Sequence, residues 1–284
     1  DKKQLVLGDS HFENLAVNIP NSLILGKPPK MLRHTRHHKK SFAPFHTSGL
    51  DLRFALSQVL RLPGVADKRF LITIGDRTVT GLVCRDPMVG PWQVAVADAA
   101  VTASSYEDHV GEAFAIGERA PIALLNAAAS ARMAVAESIT NIACAAIESI
   151  ERIRLSANWM ADAKHAGEDA DLFDAVAALG MELCVQLGVS IPVGKDSMSM
   201  TTVWQQDGQS HKVIAPLSVI ITAFTRVTDC RKTLTPQLKL NQGESCLLLI
   251  DLGNGKQRLG GSALCQVFGQ LGDGTTTNRA TPVP

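Results

Sequence analysis

Charge, aromatic rings and paired cysteines are all scarce in this chain, and each scarcity removes a class of function. Only 19% of the residues are charged and the formal net charge is +1, which gives no electrostatic footprint for nucleic acid or a membrane surface. Aromatics amount to 5%, leaving few platforms on which bases could stack. The six cysteines, Cys84, Cys144, Cys184, Cys230, Cys246 and Cys265, form no CxxC pair and no Cys/His cluster at zinc spacing. They read as reduced thiols, several of them small hydrophobes inside apolar runs such as NIACAAI and CLLLI. Neither a signal peptide nor an apolar run of membrane-spanning length occurs, so a reducing cytoplasm is the expected compartment. His46, His109 and His165 are isolated from one another and from any Cys or Ser motif, and no catalytic triad is proposed. Internal repeats are absent.

What is present is a chain of 284 residues, 45% hydrophobic, with a mean hydropathy of +0.09. That suits one large or two medium domains, with surface meant for burial against more protein. It opens on Asp-Lys-Lys without Met and closes on TPVP after a Gly-rich turn segment, and is expected to be an interior piece of something longer.

Short apolar stretches broken by Gly, Pro and Asn over residues 1–32 suit the closing strands of a preceding domain. Residues 33–49 form a basic linker holding His34, His37 and His38 beside Arg33, Arg36, Lys39 and Lys40. A solvated linker is the simple reading, and a nucleic-acid patch over residues 30–40 is the competing one. From Leu50 the spacing predicts a helix that stops at Pro63-Gly64, followed by a strand over RFLITIG. Closely spaced turns from Gly75 to Pro91 suggest a sheet curled towards a barrel and packed beside helices, an α/β (α+β) domain over residues 50–228. A helix is expected over 127–152, a strand over RIRLSANWM, and a second helix from Ala170 to Gly188. SIPVGKDSMSMTTVW reads as strand, Gly-containing turn and strand, and QQDGQSH as a hairpin. Residues 229–284 open a further domain, with a buried strand at SCLLLIDLG and a Gly-rich turn leading into a helix. Trp92 and Trp159 are expected in the packing.

Three constellations could carry chemistry. Glu137 and Asn141 are four apart in a run of small and aliphatic residues, which on a helix stacks them on one face at about 5–6 Å between Cβ atoms. With Asp98 in AVADAAVTA they offer all-oxygen ligands of the kind Mg²⁺ takes when it also binds a nucleotide phosphate. The plain alternatives are a solvent-facing helix stripe for the pair and a turn acceptor for the aspartate. In GKDSMSM, Lys195, Asp196 and Ser197 would suit phosphate or metal-phosphate handling, although the Gly spacing of a P-loop is missing and a polar hairpin corner uses the same residues. In GDRTVTG, Arg77 between two glycines could fork onto a phosphate, and an exposed turn explains it as well.

GDRTVTGLVCRDPMVGPWQVAVADAAVT, GEAFAIGERAPIALL, AVAESITNIA, RIRLSANWMA and IPVGKDSMSM together resemble the large phosphoribosylformylglycinamidine synthases of purine biosynthesis, almost end to end. The resemblance implies an enzyme that converts formylglycinamide ribonucleotide to formylglycinamidine ribonucleotide with ATP and glutamine, its ammonia coming from a glutaminase domain. It implies an aminoimidazole ribonucleotide synthetase-like fold of two related halves, each with an A domain supplying barrel strands and a B domain. This chain would hold the end of the first B domain, the second A domain and the opening of the second B domain. Asp98, Glu137 and Asn141 then match ligands to the magnesium ions of a tightly held ATP or ADP, and Ala97 a position whose backbone lies against it. That nucleotide is considered auxiliary and structural in the family. The first A domain, the rest of the second B domain and the glutaminase are the implied partners, and the isolated chain is expected to be inactive.

Overall fold

The computed structural model describes residues 3–272 except 31, 76, 77, 79, 80, 254 and 257. The chain divides into two compact units, Asp1–Thr35 and Arg36–Pro284. In the first, β1 (Gln4–Leu7) and β2 (Val17–Pro20) pair antiparallel, followed by the short helix α1 (Asn21–Leu25).

The second unit begins its regular structure with α2 (Leu52–Arg61), which starts where Asp51 accepts hydrogen bonds from the Arg53 and Phe54 amides at 2.9 and 3.3 Å. It ends ahead of Pro63, as the sequence predicts. The strand expected at RFLITIG is instead a helix, α3 (Arg69–Ile74). Asp67, one residue before the N-cap Lys68, accepts from the Arg69 amide at 2.9 Å and satisfies one free donor of the first turn. A two-residue ladder of β3 (Met88–Val89) with β4 (Ala95–Val96) precedes β5 (Ala100–Ala103) and β6 (Gly111–Glu118). After α4 (Ala120–Ala123) comes α5 (Ala127–Ile142), N-capped by Asn126. Next are β7 (Arg154–Met160), α6 (Glu168–Ala177), a π-helical stretch Ala178–Leu183, α7 (Cys184–Leu187) and β8 (Ser190–Ser197). The hairpin of β9 (Thr201–Gln206) and β10 (Gln209–Ile214) leads to β11 (Ser218–Val227), and α8 (Ala263–Val267) comes last.

Five strands form the main sheet in the order β5-β6-β11-β7-β8. All neighbours are antiparallel except β7 and β8, which are parallel and joined by the α6–α7 crossover. The sheet does not close into a barrel: β5 and β8 remain its two edges.

One sheet face is covered by helices. Along β6 the buried positions are Gly111, Ala113, Ala115 and Gly117, while the larger apolar side chains, Phe114 and Ile116, point to the other, exposed face. Small residues face the helix because α5 is itself built of them, with Ala131, Ala134, Val135 and Ser138 fully buried. A Cβ at Gly117 would overlap the Ala134 carbonyl oxygen and come within 2.5 Å of the Ser138 nitrogen, so glycine is what allows helix and strand backbones to meet.

Other expectations fail for local reasons. α5 stops at Ile142 instead of running to 152: the next amides bond i to i−3, Cys144 to Asn141 at 3.5 Å and Ala145 to Ile142 at 3.0 Å, and beyond them the Cys144 and Ala146 carbonyls accept from Leu234 at 2.8 Å and Thr228 at 2.9 Å. GKDS is no hairpin corner but the end of β8, passing straight through Gly194, where a Cβ would lie 2.5 Å from the Ala157 carbonyl oxygen. SCLLLIDLG forms no strand, and Leu247, Leu248, Leu249 and Ile250 are exposed. Trp159 is buried as expected, whereas Trp92 is 84% exposed.

Candidate functional site

The site is built where α5 crosses β6. β5 pairs with β6 only as far as the Ala100–Phe114 register, so among the described residues that edge of β6 has no strand beside it beyond Phe114. Two side chains of α5 take the place of the missing strand. Asn141 donates from Nδ2 to the Ile116 carbonyl oxygen at 3.0 Å, and Glu137 Oε2 accepts from the Glu118 amide at 2.8 Å. The i, i+4 spacing on the helix thus matches the i, i+2 spacing of edge groups on the strand. Glu137 Oε1 also pairs with Arg119 at 2.7 Å.

Cys144 lies just past the end of α5. Burial pushes its thiol up, and the negative charge of Asp98 pushes it the same way. Asp98 and Ala97 line a cleft of about 420 Å³ together with Val83, Arg85, Phe114 and Ile116. The cleft opens on the uncovered face of the sheet. Asn141 is not itself part of the lining, but it is held on the backbone of Ile116, which lines the cleft with Asp98. Glu137 stands one turn of α5 away, committed to Glu118 and Arg119.

Among the described residues no three His, Cys, Asp or Glu side chains converge on one point. A cation in this place would draw on the two carboxylates, the Asn141 amide oxygen and ligand oxygens. That donor set is hard and all-oxygen, which fits Mg²⁺. Asn141 suits such a role because the hydrogen bond to Ile116 uses its nitrogen and turns its oxygen to other partners. Glu137 suits it only by releasing Arg119.

Lys195, Asp196 and Ser197 are not brought to this place. They end β8 at the opposite edge, three strand spacings from β6, or about 14 Å. Lys195 donates to Ser197 Oγ at 2.9 Å, and Lys195 and Asp196 are exposed. Arg77 lies outside the described residues; its neighbour Thr78 borders the cleft. Sequence reasoning missed Gly117, Arg119 and Arg85. The signal for Gly117 was available, since GEAFAIGE alternates small and large over eight residues and its small positions match an alanine-rich helix.

An open mixed sheet with helices on one face defines a two-layer α/β domain. The model of the FGAR-AT PurM_N-like domain family matches residues 67–226, more than half of the chain, and the chain belongs to that family. Phosphoribosylformylglycinamidine synthase II from Thermotoga maritima shares the fold, with a TM-score of 0.50 at 16% identity over 84% of this chain. T. maritima PurL complexed with ATP gives 0.49 at 16% identity over 84% of this chain, and the same protein complexed with FGAR gives 0.47 at 17% over 84%. The chain spans 33% of the length of each of these structures. Among the described residues no helix is long and apolar enough to cross a membrane.

Proposed function

We propose that this chain is the second A domain, with the flanking parts of two B domains, of a synthase that converts formylglycinamide ribonucleotide to formylglycinamidine ribonucleotide using ATP and glutamine. Its own contribution is a Mg²⁺-nucleotide site: Asp98, Glu137 and Asn141 as metal ligands, with the Ala97 backbone against the nucleotide. Bound magnesium offsets phosphate charge. Lys195, Asp196, Ser197 and Arg77 serve phosphate groups elsewhere in the assembled enzyme. The first A domain, the remainder of the second B domain and a glutaminase domain of the same cytoplasmic enzyme complete the activity.

The observation that carries the reading is that Ile116, whose carbonyl holds Asn141, lines the same cleft as Asp98 in a chain of this family. The exposed Phe114–Ile116 face and the exposed 247–250 run support a chain made to pack against further domains.

A second reading, in which the nucleotide holds domains together and takes no part in turnover, is favoured by one feature. Glu137 and Asn141 also complete the edge of β6, so ligand and architecture use the same atoms. Glu137→Ala and Asp98→Asn in the complete enzyme separate the two. The scaffold reading expects bound nucleotide and thermal stability to fall together. Direct catalysis expects turnover to fall with nucleotide content and stability intact. Full retention of Mg²⁺-nucleotide by both variants would sink the ligand assignment itself.

A further inference from the structure

Two cysteines distant in sequence meet beside the cleft. Residues 82–84 run along the outer edge of β5, with the Cys84 amide donating to the Val101 carbonyl at 2.8 Å and the Ala103 amide to Leu82 at 2.9 Å. Cys230 opens the 3-10 turn Cys230–Lys232 that follows β11, and its amide donates to the His109 carbonyl at 2.8 Å. Arg85 ties the two segments independently, donating from Nη2 to the Arg231 carbonyl at 3.2 Å. Both are free thiols, Cys230 inside the apolar core and Cys84 packed against that core, and Cys84 donates to the Leu82 carbonyl at 3.7 Å. Cys84 is half-buried and open to solvent reagents, while Cys230 is only 6% exposed.

We infer that Cys84 and Cys230 form an oxidisable pair, a site at which a low-molecular-weight disulfide closes an intrachain bond. The Cys84 thiolate attacks one sulfur of the reagent, its proton passing to solvent, and expels one thiolate to leave a mixed disulfide. Cys230 then attacks the Cys84 sulfur, losing its own proton and expelling the second reagent thiolate. Two electrons pass to the reagent, one S–S bond is broken and one formed, and two molecules of reduced thiol result. The order follows from access: a reagent reaches Cys84, and only Cys84 reaches Cys230. The bond would fix residues 84–87, which carry Arg85 on the cleft wall, to the end of β11.

Burial first, and the neighbouring Cys230 second, push the Cys84 thiol up to about 11, with Arg85 opposing them. Exchange is therefore slow at neutral pH, and the finished bond has a poor leaving thiol and resists reduction.

The test is to hold the full chain with oxidised glutathione at mildly alkaline pH, quench with acid, alkylate and map the cysteines by mass spectrometry. Cys246→Ser removes the exposed thiol, and a parallel sample in denaturant supplies the reference. The expected result is a peptide pair joining Cys84 to Cys230, with the loss of two free thiols, formed at least about tenfold faster in the native sample. In Cys230→Ser, Cys84 should accumulate a glutathione adduct instead. Free Cys84 and Cys230 after full reagent exposure, stable glutathione on Cys84 of the unsubstituted chain, or equal native and denatured rates would each overturn the pair. The map of the unsubstituted chain decides the matter even if a serine variant does not fold.

Discussion

Gly117 is the residue on which the site geometry turns. Its missing side chain lets α5 rest on β6 closely enough for Glu137 and Asn141 to reach strand groups directly. In Gly117→Ala the new methyl meets backbone atoms, which cannot swing aside like the tip of a flexible side chain. The expected cost is about 3 kcal/mol, read as a lowered denaturant midpoint, because overpacking against rigid neighbours falls at the upper end of its range. Weaker Mg²⁺-nucleotide binding should accompany it. A variant as stable as the parent would show that the helix and strand can separate freely.

At the scale of elements, α6 is the anchor for residues 37–40. Glu168 is only 4% exposed, yet its carboxylate accepts from the Leu217 amide at 2.8 Å and from Lys40 at 2.9 Å, and Lys40 also reaches Asp171 at 2.6 Å. Glu168→Ala leaves a buried amide and a partly buried ammonium without this partner, and should lower unfolding free energy by about 3 kcal/mol in equilibrium denaturation. His37 adds a pH-dependent tie. Its hydrogen bond to Asp174 at 2.8 Å is the main cause that raises its pKa above 6.5, with the charges of Asp174 and then Asp171 acting in the same direction. A raised pKa means the contribution is complete below about pH 6.5 and fades as pH climbs through the folded value. Amide exchange over residues 37–40 should therefore quicken above neutrality, and His37→Gln should flatten that response while Lys40 keeps its own ion pairs. The sequence announced α2, β7 and the π-interrupted α6–α7 helix well, because caps, glycines and spacing are local signals. It misread α3, a β-prone run that is helical behind Asp67, and overran α5, past whose end the amides of residues 228 and 234 donate to the chain. The ligand pair was legible as i, i+4 spacing, but its hold on the edge of β6 was not, since that edge exists only once β5 stops short.

For the molecule as a whole, apolar surface is distributed unlike that of a self-contained domain. Phe114 and Ile116 lie on the uncovered sheet face, and Leu247 to Ile250 form a second exposed run in which Leu249 is 96% accessible. Surfaces of this kind associate in water. The chain on its own should elute above its 30.3 kDa mass and bind a hydrophobic dye. Leu249→Lys should reduce both effects without changing the secondary-structure spectrum. Monodisperse behaviour at chain mass, with no dye bound, would contradict this account of the surface. The strand order has a consequence for how the molecule is made. β11 is the last strand of the main sheet to be synthesised, yet it occupies the middle, paired with β6 on one side and β7 on the other. Until residues 218–227 leave the ribosome the two halves of the sheet have no common neighbour, and α5 has only part of its floor. Folding of this unit must wait for its final strand, and a nascent chain halted before Ser218 should remain open to proteases that spare the finished one.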